Sequence, residues 1–278
     1  MKSPSSKLAI HPSALSFSLE TQNTMNLTGN TILLTGGGSG IGRRLAEEFH
    51  KLGNQVIIAG RRQQALDETT EANPGMKSLP LDIENPAATR AFAAQITADY
   101  PSLNVLINNA GIMRAENLLA QQSDLADAEA IVATNLLGPI RLTAALLPQL
   151  QSQPHSAIIN VSSGLAFVPL VFTPTYCATK AAIHSYTQSL RYQLKATAVE
   201  VLELIPPYVQ TDLMDGADDP RAMPLDQFIA EVMQILSTNP TPTEICVKNV
   251  NGLRLAAEQN RYAPTFNGLN DAMSARFF

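Results

Sequence analysis

Apolar and polar positions alternate along this chain in two rhythms. Short apolar runs occupy 31–35 (TILLT), 55–59 (QVIIA), 103–107, 157–161 and 199–205, and each is followed by Gly, Asn, Ser or Pro. Continuous apolar runs of this length between turn residues predict strands buried on both faces. Weaker runs at 77–79 and 244–247 predict two further short strands. Helical spacing fills the gaps. Leu45, Phe49 and Leu52 recur at four and three, Glu47 and Glu48 fall on the opposite side, and Gly53 is a suitable stop. The same spacing predicts helices near 63–71, 86–99, 174–195 and 225–236, and one long helix over 125–147 ending at Pro148. Strands alternating with helices predict an α/β fold: a doubly wound parallel sheet with helices on both faces. No repeat or linker interrupts 26–278, so a single domain is expected.

The two ends break the rhythm. Residues 1–25 are rich in Ser and Thr, and His11 and Pro12 interrupt their apolar positions. They read as a disordered N-terminal tail, with Met25 a possible true start. After Asp212 the prolines Pro220, Pro224, Pro240, Pro242 and Pro264 leave one clear helical pattern, and 212–240 is expected to form a substrate lid.

Composition narrows the function classes. The 278 residues are 45% hydrophobic and 15% charged, with a net charge of −5 and no basic run, which gives nucleic-acid binding no support. Two cysteines, Cys177 and Cys246, cannot make a disulfide framework, and the four histidines are scattered, so no metal is expected. No run approaches the ~18 apolar residues of a membrane span, and a cytoplasmic protein is expected.

The first strand runs into Thr35-Gly36-Gly37-Gly38-Ser39-Gly40-Ile41-Gly42 and then a helix. That order points free backbone N–H groups and a positive helix end at a phosphate, and glycines let the backbone approach it. The order strand, glycine turn, helix makes the sheet Rossmann-type. An acidic residue at the end of the second strand would bind the ribose of NAD. Here Gly60-Arg61-Arg62 stands instead. A guanidinium suits a 2′-phosphate, so NADP(H) is expected over NAD(H), with Arg61 the main contact and Arg62 and Arg43 secondary.

Tyr176 and Lys180 lie four apart on one predicted helix and face each other. A phenol near its ordinary value of ~10 is a poor base at neutral pH. A neighbouring ammonium is expected to lower it and to let it exchange a proton with a carbonyl or alcohol oxygen.

With these pieces in order, the chain resembles the short-chain dehydrogenase/reductase family in its compact form, over about residues 28–212. The motifs are Thr35-Gly36 with Gly40-Ile41-Gly42, Asp82-Ile83, Asn108-Asn109-Ala110-Gly111, Asn135, Ser162-Ser163, and Tyr176 with Lys180. Ser163-Gly164-Leu165-Ala166-Phe167, the stretch from Tyr176 to Ser185 and Pro206-Pro207 are most similar to the DltE-like oxidoreductases of bacteria. The resemblance implies a hydride-transferring enzyme. Tyr176 is its general acid or base, Ser163 polarises the substrate oxygen, and Lys180 tunes the phenol and holds the nicotinamide ribose. Asn135 holds a relay water. Gly36, Ser39, Gly40, Ile41 and Gly42 would cradle the phosphates; Asp82 and Ile83 would meet the adenine; Asn109, Ala110 and Gly111 would flank its ribose; Thr211 would bond the nicotinamide amide. Pro207 replaces the family's glycine, and the usual Asp-Gly-Gly near the C-terminus is absent. The family's oligomers imply a homodimer or homotetramer. Leu165, Phe167, Val168, Pro169, Leu170, Phe172 and Met113 are expected to form an apolar wall, which favours a small hydrophobic carbonyl or secondary alcohol. Arg114 is a candidate for an anionic group. The alternative is a catalytically silent NADP(H)-binding sensor on the same fold.

Overall fold

The structure, a computed structural model, describes residues 25–120, 124–213 and 219–277. Residues 1–24, most of the expected tail, lie outside that set. Met25 does not behave as tail: it is buried, and its N–H donates to Thr241 Oγ1 at 3.2 Å.

Seven parallel strands form one sheet in the order β3-β2-β1-β4-β5-β6-β7. They are β1 (Thr31–Thr35), β2 (Gln55–Gly60), β3 (Lys77–Pro80), β4 (Leu103–Asn108), β5 (Ser156–Val161), β6 (Val199–Leu204) and β7 (Glu244–Ile245). The predicted apolar runs became the strands because alternate residues feed two cores. Ile32, Leu34, Val56 and Ile58 face α1 (Gly40–Lys51) and α7 (Leu225–Leu236), where Leu45, Phe49, Phe228 and Val232 close the layer. Leu33, Ile57 and Ile158 face the other side. There α3 (Pro86–Asp99), α5 (Gly138–Gln151) and α6 (Pro174–Leu194) contribute Phe92, Ile96, Leu142, Leu146 and Leu190. Helix α2 (Gln63–Ala72) packs outside β2 and β3. The chain leaves β1 toward β2 and β3, then returns to build β4 to β7 on the other side. That reversal opens a crevice between the loops after β1 and β4, the usual ligand position in such sheets.

Three expectations change. The long helix does not end at Pro148: helical backbone runs from Ala126 to Gln151, with α4 (Ala126–Val132), a π turn (Ala133–Leu137) and α5 in succession. Pro139 has no N–H for the turn before it, which is a physical reason for the ladder to widen there. Pro148 sits in the last turn, where the helix is about to end anyway. The 26-residue helical stretch Ala126–Gln151 is long and apolar enough for a membrane span, with an 18-residue window of mean hydropathy 1.6. Yet Leu142, Leu146 and Leu150 are fully buried against the sheet, so this is a core helix. Within the expected lid, α7 is also a core element, with Phe228, Ile229, Val232 and Leu236 buried; residues 214–218 lie outside the described set. Finally, α8 (Asn251–Arg254) and α9 (Tyr262–Phe277) follow β7, where no helix is expected from the sequence.

Candidate active site

The glycine turn and the loop after β4 interlock at the crevice. Thr35 Oγ1 accepts the N–H groups of Asn109 and Ala110, each at 3.1 Å, and Asn109 Nδ2 donates to Thr35 O at 2.9 Å. Gly36 takes φ +72°, a conformation that favours glycine. A Cβ on Gly42 would lie 2.3 Å from Gly36 O and 2.4 Å from Asn109 Nδ2, so only hydrogen fits. Ser39, before α1, makes no side-chain cap, which leaves the first N–H groups of α1 without one. A tight, side-chain-free cradle at an uncapped helix N-terminus fits the pyrophosphate of a dinucleotide. Thr211 reaches the same place: a Cβ on Gly40 would lie 3.4 Å from its Cγ2.

The two arginines after β2 divide. Arg62 Nη2 donates to Ser39 Oγ at 2.8 Å, at the rim of the cradle. Arg61 Nη1 donates to Glu84 Oε1 at 2.7 Å, and Glu84 also accepts from Thr134 Oγ1 at 2.7 Å. Arg43 pairs with Glu47 along α1 at 2.9 Å. Asp82 is exposed, and its Oδ1 accepts the N–H of Glu84 at 3.1 Å. Ile83 is buried against Gly138, so its side chain belongs to the core.

A buried polar ladder sets the helices that carry the catalytic candidates. Asn108 Nδ2 donates to Thr143 Oγ1 and Asn160 Oδ1, and Asn160 Nδ2 donates to Thr187 Oγ1, which ties β4, β5, α5 and α6 together. Asn135 lies in the π turn. Its Oδ1 accepts Ile112 N–H, and its Nδ2 donates to Ile112 O, both at 2.8 Å. A π turn inside a long helix commonly marks a functional position. Gly111 stands between Asn135 and Lys180: a Cβ there would lie 3.4 Å from Asn135 Oδ1 and 3.7 Å from Lys180 Nζ.

Ser163 caps a short 3₁₀ turn (Gly164–Ala166), with its Oγ accepting Leu165 N–H at 3.1 Å. The Ser163 side chain neighbours the Tyr176 phenol and favours its ionised form. The neighbouring Ser162 Oγ is buried without a hydrogen-bond partner among the described residues. Lys180 Nζ donates to Val161 O at 2.8 Å and lies 5.5 Å from the Tyr176 ring centre. Ser163, Tyr176, Lys180, Asn135 and Gly111 thus converge from four segments.

The charge balance differs from expectation. Burial pushes the Tyr176 phenol above its ordinary range, and the neighbouring Ser163 hydroxyl opposes this only in part. Burial also brings Lys180 down to about 8, against the pull of the Glu203 carboxylate. The expected lowering of the phenol by the ammonium is therefore absent. Desolvation dominates, and the Lys180 proton is directed at the Val161 carbonyl. In this state the phenol is neutral, the form that donates a proton.

The expected apolar wall is partly core. Val168, Leu170 and Phe172 are buried, whereas Leu165 and Met113 are half-buried beside Tyr176. Phe167 turns to His184 and Arg254. Leu269 and Met273 of α9 join the wall, and Asn270 clamps the loop beneath it by accepting Val171 N–H at 2.8 Å. Sequence reasoning missed this contribution. Arg114 is spent on Asp127 at 2.6 Å. His184, Glu203 and Glu244, scattered in sequence, bring ligand atoms within 4.8 Å of one another. Arg254 donates to both oxygens of Glu244, at 2.7 and 3.2 Å, so the cluster is an ion-pair and hydrogen-bond network.

A dinucleotide cradle at the switch point of a doubly wound sheet, opening onto a buried Ser, Tyr and Lys, defines a nucleotide-dependent oxidoreductase. Comparison with known proteins agrees. Residues 30–222 match the family model described as short chain dehydrogenase. The chain is 37% identical over 251 residues, 88% of its length, to the uncharacterized oxidoreductase DltE of Bacillus subtilis, of which it covers 98%. It is 32% identical over 176 residues to the NADP-dependent 3-hydroxy acid dehydrogenase YdfG of Shigella flexneri, covering 63% of this chain and 71% of that one. Its fold is similar to a short chain dehydrogenase from Burkholderia cenocepacia solved in complex with NADP, with TM-score 0.74, 25% identity, and coverage of 87% and 99%. The chain belongs to the short-chain dehydrogenase/reductase family, NAD(P)-linked oxidoreductases acting on CH–OH donors.

Proposed function

We propose that this chain is an NADP(H)-dependent oxidoreductase that moves hydride between the nicotinamide and the carbonyl or secondary alcohol of a small hydrophobic substrate. The observation that carries the proposal is the buried pair Tyr176 and Lys180, one helical turn apart on one face of α6, with Lys180 Nζ 5.5 Å from the Tyr176 ring centre and the Ser163 side chain beside the phenol. The cradle glycines and Ser39, Ile41 and Thr211 would hold the cofactor's phosphates and nicotinamide amide. Arg61 and Arg62 would hold its 2′-phosphate, and Asp82, Asn109, Ala110 and Gly111 its adenosine. NADP(H), when bound, supplies or takes the hydride.

The chain's own residues manage the oxygen. Ser163 and the neutral Tyr176 phenol donate to a carbonyl oxygen as negative charge grows on it, which is oxyanion stabilisation applied to a ketone. Tyr176 gives up its proton in reduction and takes one in oxidation. Lys180 steadies the phenolate left behind and bonds the ribose hydroxyls. The Asn135 side chain is spent on Ile112. Its main-chain carbonyl, to which Pro139 offers no N–H, is then the group left to hold a relay water.

The preference for NADP(H) is expected to rest on Arg61 and Arg62, since no carboxylate ends β2. Arg61 must exchange Glu84 for the phosphate, while Arg62 already lies at the cradle rim. Replacing Arg61 by Asp should weaken NADPH about 10- to 100-fold relative to NADH, the worth of one charge-assisted bond. Titration of both cofactors by nicotinamide fluorescence checks this, and an unchanged ratio would remove Arg61 from the role. A cytoplasmic homodimer or homotetramer, joined through the outer faces of α4, α5 and α6, completes the proposal. Leu125 and Leu137 are exposed there. A single monomeric species in sedimentation would exclude the oligomer.

A further inference from the structure

We propose that Glu203 is a positioning residue: a carboxylate locked beneath α6 by His184, whose negative charge keeps the Lys180 side chain cationic in the site. The proposal rests on the role given to Lys180 above. Tyr176, Lys180 and His184 are spaced by four, so they form one stripe along α6. Under that stripe, β6 presents Glu203, with no side-chain exposure. Asn160 pairs with Glu203 across β5 and β6, and the next pair is Val161 with Leu204. The Val161 carbonyl that receives the Lys180 ammonium therefore sits one residue and one strand from Glu203.

Both Glu203 oxygens face His184 Nδ1, at 2.8 and 3.1 Å. Gln188 places its amide nitrogen 3.1 Å from His184 Nε2. An amide nitrogen only donates, so His184 Nε2 accepts and its proton is on Nδ1, directed at Glu203. His184 Nδ1 orients the carboxylate by reaching both of its oxygens. The other cations nearby are committed elsewhere. Arg254 forks onto Glu244 and also pairs with Glu258; Arg191 donates to the carbonyls of Val201 and Thr243. Lys180 has no ion pair at contact distance among the described residues, and Glu203 is the carboxylate whose charge acts on it. Lys180 and Glu203, two buried opposite charges without an ion pair between them, stabilise one another across a low dielectric.

The groups facing Lys180 are few. They are Tyr176 on its own helix, Glu203 from β6 with His184 against it, and uncharged Asn135 from the π turn, whereas Cys177 turns its Sγ to Leu170 and Thr173. Glu244, Cys246, Arg191 and Arg254 lie beyond Glu203. Lys180 is cationic below its buried value of about 8 and neutral above it. Removing a neighbouring negative charge favours the neutral form and moves that loss to lower pH.

Thermal unfolding of Glu203→Gln, Lys180→Met and the double variant tests the coupling without any turnover. Glu203→Gln should lower the melting temperature when Lys180 is present and raise it in Lys180→Met, where the carboxylate has lost its counter-charge. An equal shift in both backgrounds overturns the proposal. NADPH binding, followed by fluorescence between about pH 6 and about pH 10, supplies the second readout. In Glu203→Gln the alkaline loss of affinity should begin about one pH unit or more below that of the parent, with parental affinity regained at the acid end. His184→Asn should move it the same way by less. A uniform loss of affinity at every pH would mean a structural role only, and would overturn the proposal. If NADPH failed to bind the parent, the cofactor reading would fall, while the melting cycle would still decide the Glu203 coupling.

Discussion

Replacing Tyr176 by Phe is expected to cut turnover about 10²- to 10⁴-fold, the range for loss of a positioned general acid, and to leave NADPH binding within a few-fold of the parent. The substitution removes one oxygen from a buried position. Tyr176 is only 6% exposed, and its ring packs with Ile131, Leu170, Phe172 and Cys177, contacts that Phe keeps. The neighbouring Ser163 Oγ still accepts Leu165 N–H, so the turn that Ser163 caps is kept. Stability should therefore change little, and the loss should appear in kcat with reducible carbonyls, followed by nicotinamide absorbance. The pH dependence separates roles further. The phenol lies above its ordinary range and stays protonated at neutral pH, so reduction should hold its rate through neutrality. It should fall as Lys180 loses its proton near its value of about 8. Alcohol oxidation needs the phenol as a base and should rise with pH before the same loss. Near-parental turnover in Tyr176→Phe would remove the tyrosine from the chemistry, whereas NADPH binding by the parent with no turnover of any carbonyl or alcohol would favour a silent binding module.

The parts of this molecule legible in the sequence are those encoded locally. The strand cores and α3 and α7 follow from periodicity because each buries its own apolar residues against one continuous sheet. The glycine turn is legible because both its need and its means, missing side chains, lie within eight consecutive residues. Long-range features are another matter. The place of the π turn in the site depends on Asn135 bonding Ile112, a contact between segments that no spacing reveals. Helix α9 has Pro264 and Gly268 within it and no strong apolar face, so it reads as irregular until Asn270 and Leu269 are seen holding the loop before α6. The buried Glu203 was hidden in an apolar strand, and His184 looked like one of four scattered histidines. The pairing of the two is set by the fold. The same distinction explains the error over Tyr176. Spacing correctly placed an ammonium beside a phenol, but spacing carries no information about burial, and burial decides the balance.

The largest effect on cofactor binding is expected from a single methyl group. Gly42→Ala would put a Cβ at 2.3 Å from Gly36 O and 2.4 Å from Asn109 Nδ2, inside any van der Waals separation. Neither neighbour is a flexible end. Gly36 O is backbone in a turn with φ +72°, and Asn109 Nδ2 is held by Thr35 O at 2.9 Å. The turn and the loop after β4 must therefore move apart, which undoes the interlock that shapes the crevice. Overpacking of this kind costs about 1–3 kcal/mol, so the melting temperature should fall by about 2–12 °C for a domain of this size. Binding should suffer more than stability. The N–H groups that meet the pyrophosphate are the atoms displaced, and a charge-assisted hydrogen bond is worth about 1.5–3 kcal/mol. Losing two of them weakens NADPH by roughly 100-fold or more. Gly252→Ala is the matched control, since a Cβ there meets nothing within 4 Å and its φ is not positive. That variant should keep parental affinity and lose no stability, because alanine restricts the unfolded chain. Calorimetric titration with NADPH on both variants reads the difference directly. If Gly42→Ala bound NADPH as tightly as Gly252→Ala, the glycine turn would not be the phosphate cradle, and the cofactor would have to sit elsewhere along the sheet edge.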